Sequence, residues 1–468
     1  MIFDFYNALL ERVGSNGIEY SEIEGYKERL EQIKKAISAK KVNDYFALTL
    51  PTVMKEQLSE IKSYAKFVQD GFDNFVVVGM GGSSLGNEML HYAMKGIYYN
   101  DVKHNGLPKM YFLENIDPES TTRLLENLDL KRTMFNIITK SGGTSETIMN
   151  FLTIIRCLND KGIDFKNNVV VTTDPQHGFL RRFAGEYGIK SFSIPQLVGG
   201  RFSVLSPVGL LSASVEGIDV EALLNGAALE AERIEKVDAL SSSAFVFPLL
   251  QFLLQKNRKV NITSILSYSD GLSYFGRWYT QLLAESIGKE SSRDGETINA
   301  GITPLPTKGA TDQHSILQLF MEGPFDKLIV FLSVDKYNST TNTGNVLNSD
   351  DETISYLQNK NYTDLIKTEF LTTRLALTSK GRPNVTFKLD SVNEEELGRL
   401  IYSFEYGVIV LGELLNINAI NQPAVELGKR FTYALMGRKG FDKEKEEFFN
   451  LAKGNDKYVI KEAINEKN

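Results

Sequence analysis

Cysteine occurs once, at Cys157, and histidine four times, at His91, His104, His177 and His314. A single thiol excludes an intramolecular disulfide, a four-cysteine zinc site and a CxxC redox pair, and it fits a reducing compartment. No two histidines lie at the short spacing of a zinc motif, so a sequence-local metal site is not expected. An excess of positive charge is also missing. Lys plus Arg number 52 against 59 Asp plus Glu, a net charge of −7, which leaves no electrostatic footprint for nucleic acid or an anionic membrane. The most apolar stretch, AFVFPLLQFLL from Ala244 to Leu254, is interrupted by Pro248 and Gln251. It falls short of the roughly 18 residues a membrane span needs. The opening MIFDFYNALLERVG has no basic region followed by a long apolar one, so it does not read as a secretory signal. These absences together predict a cytoplasmic protein with no nucleic-acid or membrane partner.

What remains is an ordinary globular composition over 468 residues, 42% hydrophobic and 24% charged, enough for two to four domains. Short β-branched runs alternate with longer amphipathic stretches, the pattern of a parallel sheet covered by helices. FVVVGM (75–80), MYFLEN (110–115), FNIITK (135–140), VVVTTD (169–174) and KSFSIP (190–195) read as strands of one doubly wound domain, residues 45–215. Helical patterns at Ala222 to Lys236 and Ala244 to Lys256 follow. A second series of strands, at 261–268, 327–335 and 384–391, then belongs to residues 216–437. Helical segments are expected over 1–44 and 438–468. The fold class is therefore α/β, with two doubly wound parallel-sheet domains flanked by terminal helices. No residue-level repeat links the halves.

Several segments sit where a strand turns into a helix, the place where such sheets hold ligands. GMGGSSLG (79–86), with Gly82 and Ser83, lacks the third glycine of a dinucleotide fingerprint and the Lys-Ser/Thr of a Walker loop. It reads either as an anion-holding turn or as a tight turn only. TKSGGTSET (139–147) offers Thr139, Lys140, Ser141 and Thr144, a donor set suited to a phosphate monoester, although Thr144 or Ser145 could simply cap the following helix. GGRFSVLSPVG (199–209) presents Arg201 beside Gly200, suited to an oxyanion or to a surface salt bridge. In QLLAESIGK (281–289), Gln281 and Glu285 are four apart and share a helical face, which an exposed pair would also do. His314, in GATDQHS (309–315), is the one acid/base candidate among the histidines. Gln422 precedes AVELGK (424–429), where Lys429 could equally be a solvated helix residue.

Taken in order, these segments resemble the glucose-6-phosphate isomerase family from about Gly79 to Lys429. GGRFSVLSPVGL (199–210) and AVELGK are similar to its two signatures, while Ile287 stands where Asn is usual. The resemblance implies two sugar isomerase domains. It also implies aldose to ketose isomerisation of a six-carbon sugar phosphate through ring opening and a cis-enediol, without metal or nucleotide. By the same resemblance Ser83, with Gly82, Thr139, Lys140, Ser141 and Thr144, would hold the phosphate, and Gln281 and Gln422, with Gly200, would bind the sugar. Glu285 would move the proton between C2 and C1, Arg201 would stabilise the enediolate, and His314 and Lys429 would assist ring opening. A homodimer with shared sites is implied as well, the histidine reaching the neighbouring subunit's site. A dual glucose and mannose phosphate isomerase needs the same groups. A non-catalytic sugar-phosphate sensor would have no use for Glu285, Arg201, His314 and Lys429 together.

Overall fold

The computed structural model describes residues 1–102, 104–347, 351–454 and 456–460. These form two compact units, Met1–Ile420 and the residues from Asn421 onward. In the first unit the strands are β1 (Ile2–Asp4), β2 (Asn74–Val78), β3 (Lys109–Leu113), β4 (Thr133–Thr139), β5 (Val169–Thr173), β6 (Ser191–Ser193), β7 (Ile262–Ser267), β8 (Lys289–Ser291), β9 (Thr297–Ala300), β10 (Thr303–Lys308), β11 (Lys327–Lys336) and β12 (Asn384–Ser391).

The first sheet runs β3-β2-β4-β5-β6 and is parallel throughout. Its central strands are apolar on both faces because helices cover both: Phe75 and Val77 face one buried cluster, Val76 and Val78 another. The second sheet runs β1-β12-β11-β7-β10 and is parallel except for β1, which pairs antiparallel with β12. In order of appearance β3-β2-β4-β5 of the first sheet and the parallel strands β10-β7-β11-β12 of the second both read second, first, third, fourth, so the two sheets share a topology. In each, the chain leaves the first strand to opposite sides, and the crevice that this opens lies at the carboxyl ends of β2 and β4 in the first sheet.

Three elements differ from expectation. The first 44 residues, read as helical, open with β1, a run of three residues too short to register as a pattern. β10, TPLPTK, carries Pro304 and Pro306, which argue against a strand. It survives because it is an edge: Thr303 N–H bonds toward the β7 side, at Asn261 O, and the two-residue period turns both prolines away. β8 and β9 form a short, mostly exposed hairpin.

The largest buried cluster joins one face of each sheet through the helices Pro207–Val215, Ser243–Arg258, Ser273–Ile287 and Glu394–Leu414. Ile287, where the family pattern has Asn, is fully buried in it. The unit beginning at Asn421 contains the helices Glu426–Leu435 and Asp442–Leu451, joined by an Arg430–Glu444 ion pair and the Phe431–Phe448 ring contact. Within the expected C-terminal helical segment, residues 455 and 461–468 lie outside the described residues.

Candidate active site

The loop after β2 and the loop carrying Arg201 meet backbone to backbone. A Cβ on Gly82 would fall 2.2 Å from the carbonyl carbon of Gly200, so only glycine permits the approach. Ser203 Oγ donates to Gly200 O at 2.7 Å and lies 3.3 Å from Gly82 O, closing the junction. Behind it the helices Leu85–Lys95 and Pro207–Val215 are clipped by two buried polar pairs, Asn87 with Ser212 and His91 Nδ1 with Glu216 Oε2 at 2.6 Å. His91 is thus structural, as expected. The clip escapes a reading of motifs because its halves lie 125 residues apart.

The helix Ser273–Ile287 buries Trp278, Tyr279, Leu282 and Leu283 and leaves Gln281 and Glu285 at the edge of the same junction. Gly81, at φ +55°, would place a Cβ 2.8 Å from Gln281 Nε2, so the glycine loop touches this helix too. Gln281 Nε2 donates to Glu285 Oε1 at 3.0 Å and Arg201 Nη1 to Glu285 Oε2 at 3.3 Å. The carboxylate is therefore held between an amide and a cation, and it is only half-buried, 31% exposed at the side chain.

Arg201 itself is 2% exposed, which rules out the surface salt bridge. It donates through Nε to Ser286 Oγ at 2.7 Å and through Nη2 to Ala419 O at 2.6 Å. Burial lowers its proton affinity while Glu285 raises it, and guanidinium keeps its charge regardless. Lys289, unremarked in the sequence, is also buried and donates to Glu285 O at 2.5 Å and Ser286 O at 2.9 Å, the open carbonyls of the helix end. Burial first, then the nearby Arg201, push its amine down to about 8.

On the other side of the crevice, after β4, Thr139 Oγ1 lies 3.0 Å from Thr144 Oγ1 and 3.3 Å from Ser141 Oγ. Thr144 occupies the N-cap position of the helix Ser145–Asp160 without a side-chain capping bond, so its hydroxyl turns to this cluster instead. Lys140 Nζ donates to Gln196 O at 2.6 Å and Val198 O at 2.8 Å, tying the cluster to the segment that leads into Gly199 and Arg201. One of its three donors remains for a ligand. Ser83, half-buried, ends the short turn Gly81–Ser83 between the two groups.

His314 is exposed, in the turn Thr311–His314 after β10, and its side chain makes no hydrogen bond or ion pair with the groups just described. Gln422 and Lys429 belong to the second unit, where Lys429 is exposed and pairs with Glu426 Oε1 at 2.7 Å in its own helix. Among the described residues no group of three or more His, Cys, Asp or Glu is placed to hold a metal. No described helix is long and apolar enough to cross a membrane.

The chain is 40% identical to a glucose-6-phosphate isomerase of Carboxydothermus hydrogenoformans, over 96% of this chain and 97% of that protein. It is 39% identical to one of Rubrobacter xylanophilus, over 94% and 98%. A solved structure, a hypothetical protein from Thermus thermophilus, superposes with a TM-score of 0.81 at 32% identity, covering 93% of this chain and 99% of the other. The family model described as phosphoglucose isomerase matches residues 42–450, and the chain belongs to that family.

Proposed function

We propose that the protein interconverts glucose 6-phosphate and fructose 6-phosphate, with Glu285 as the proton-transferring base. The observation that carries this reading is the Glu285 carboxylate held between Arg201 and Gln281, with Lys140 tying the hydroxyl cluster of Thr139, Ser141 and Thr144 to the segment that leads into Arg201. In the open-chain aldose, Glu285 removes the C2 proton. The C–H electron pair becomes the C1–C2 double bond, and the carbonyl oxygen takes up negative charge. Arg201, buried and permanently charged, stabilises that enediolate. Glu285 returns the proton to C1 while the hydroxyl proton of O2 passes to O1, leaving the ketose.

Ser83, Lys140 and the three hydroxyls hold the phosphate, Gln281 and Gln422 the sugar hydroxyls, and His314 and Lys429 serve ring opening. Residues 45–215 and 216–437 act as the two sugar isomerase domains. The active species is a homodimer in the cytoplasm, in which an exposed His314 completes the neighbouring site. A coupled assay with glucose, mannose and fructose 6-phosphates tests the reading. Turnover of the glucose and fructose esters is expected, and their inertness with a well-folded protein overturns it.

A further inference from the structure

Glu88 lies in the helix that follows the glycine loop and is 4% exposed. Its Oε1 accepts from Ser84 Oγ at 2.7 Å and its Oε2 from Arg277 Nη1 at 3.1 Å. The same guanidinium reaches Glu114 Oε1, after β3, at 3.6 Å. One cation therefore faces two carboxylates, so the three groups carry a net negative charge unless a carboxylate takes up a proton. Tyr92, on the same helix, interacts electrostatically with Glu88, and its ring stacks on Tyr274, which lies beneath Arg277. Burial pushes Tyr92 up to about 12, so it does not titrate near neutrality. Burial first, then the neighbouring Glu114 carboxylate, push the Glu88 carboxyl up to about 7.

We propose that Glu88 and Glu114 share a proton that is coupled to sugar-phosphate binding, so that the ligand's phosphate draws this proton onto the pair. The inference rests on the sugar-phosphate reading of the site. With the proton in place, Arg277 and the two carboxyls are neutral together. Without it they carry one negative charge beside the first turn of the helix Leu85–Lys95, whose free N–H groups and dipole favour an anion from outside. Glu114 follows β3 and the hydroxyl cluster follows β4, with β2 between them. Two strand spacings, about 10 Å, separate the ends of β3 and β4 from which Glu114 and the hydroxyl cluster follow. At that range one extra negative charge weakens binding of a dianion by roughly three- to tenfold. Linkage makes the effect reciprocal, so phosphate binding must raise the proton affinity of the pair. Arg277 precedes Gln281 by one helical turn and Glu285 by two, which carries the pair's state to the catalytic face as well.

The test is calorimetric titration of wild-type protein with 6-phosphogluconate at a pH half a unit above neutrality, in two buffers of different ionisation enthalpy. Uptake of a fraction of a proton per site is expected, and measurably less in Glu88→Gln or Glu114→Gln, either of which keeps a hydrogen-bonding group without a charge. KM for fructose 6-phosphate should rise from pH 6 to pH 8 in wild type by about three- to tenfold relative to Glu88→Gln. Equal proton uptake in all three proteins, or parallel KM profiles, overturns the proposal. Failure of the wild type to bind 6-phosphogluconate at all would instead overturn the sugar-phosphate reading on which it stands.

Discussion

Glu285 has one neighbour of each kind a proton-transferring carboxylate requires: a cation in Arg201, a neutral donor in Gln281, and through its own carbonyl the ammonium of Lys289. Glu285→Gln keeps the size and, with the Gln281 amide turned to accept, both contacts, but it takes up no proton. General-base catalysis is worth about 10² to 10⁴ in rate, so kcat should fall at least about 100-fold while 6-phosphogluconate still binds. A kcat within tenfold of wild type in the folded variant would assign the base elsewhere. Lys289 gives a second measurement at this scale. Its amine is held down to about 8 against an ordinary value of 10.5, so between those limits the unfolded chain binds more protons than the native one. Stability must then rise with pH across that window, the burial penalty being present below 8 and relieved above it. In urea titrations from pH 7.5 to pH 10, wild type should gain stability relative to Lys289→Met, and parallel curves would show the lysine to be unperturbed.

At the scale of elements, two loops and a helix from opposite ends of the first unit meet because Gly82 has no side chain. Gly82→Ala must separate the glycine loop from Gly200 by more than 1 Å, given the 2.2 Å approach of the built Cβ. A displacement of that size costs on the order of 100-fold in rate, so kcat/KM should fall far more than the melting temperature does. A variant with wild-type kcat/KM would show that the junction does not set the catalytic geometry. The elements that form it were legible. All five strands of the first sheet lie where alternating apolar runs put them, as do the helices Val220–Lys236 and Ser243–Arg258. Local pattern suffices there because both faces are buried. It fails at β10, where prolines look like strand breakers until the edge position is known, and at β1, whose partner β12 is nearly the whole chain away. The site was legible as a set of loops with suitable donors. Its wiring was not: Arg201 to Ser286 and Ala419, Asn87 to Ser212 and Glu88 to Arg277 are bonds between distant segments, which no spacing rule reaches.

For the molecule as a whole the open matter is His314. It is the only histidine in a segment matching the family's blocks, yet in one chain it is exposed and makes no hydrogen bond or ion pair with Arg201 or Glu285. An acid/base group must come within about 3 Å of the oxygen it serves, directly or through a water. The proposed homodimer would supply it from the neighbouring subunit. If each site takes Glu285 from one subunit and His314 from the other, a dimer of Glu285→Gln and His314→Ala subunits holds one site with both lesions and one with neither. Each homodimer should be nearly inactive. After subunits are exchanged under mild denaturant, mixed dimers separated by differential tags should recover about half the wild-type activity per dimer, since sites with independent lesions contribute additively. If verified mixed dimers stay as inactive as either parent, each site takes both residues from one chain, and His314 must then reach its own crevice by a rearrangement of the loop after β10.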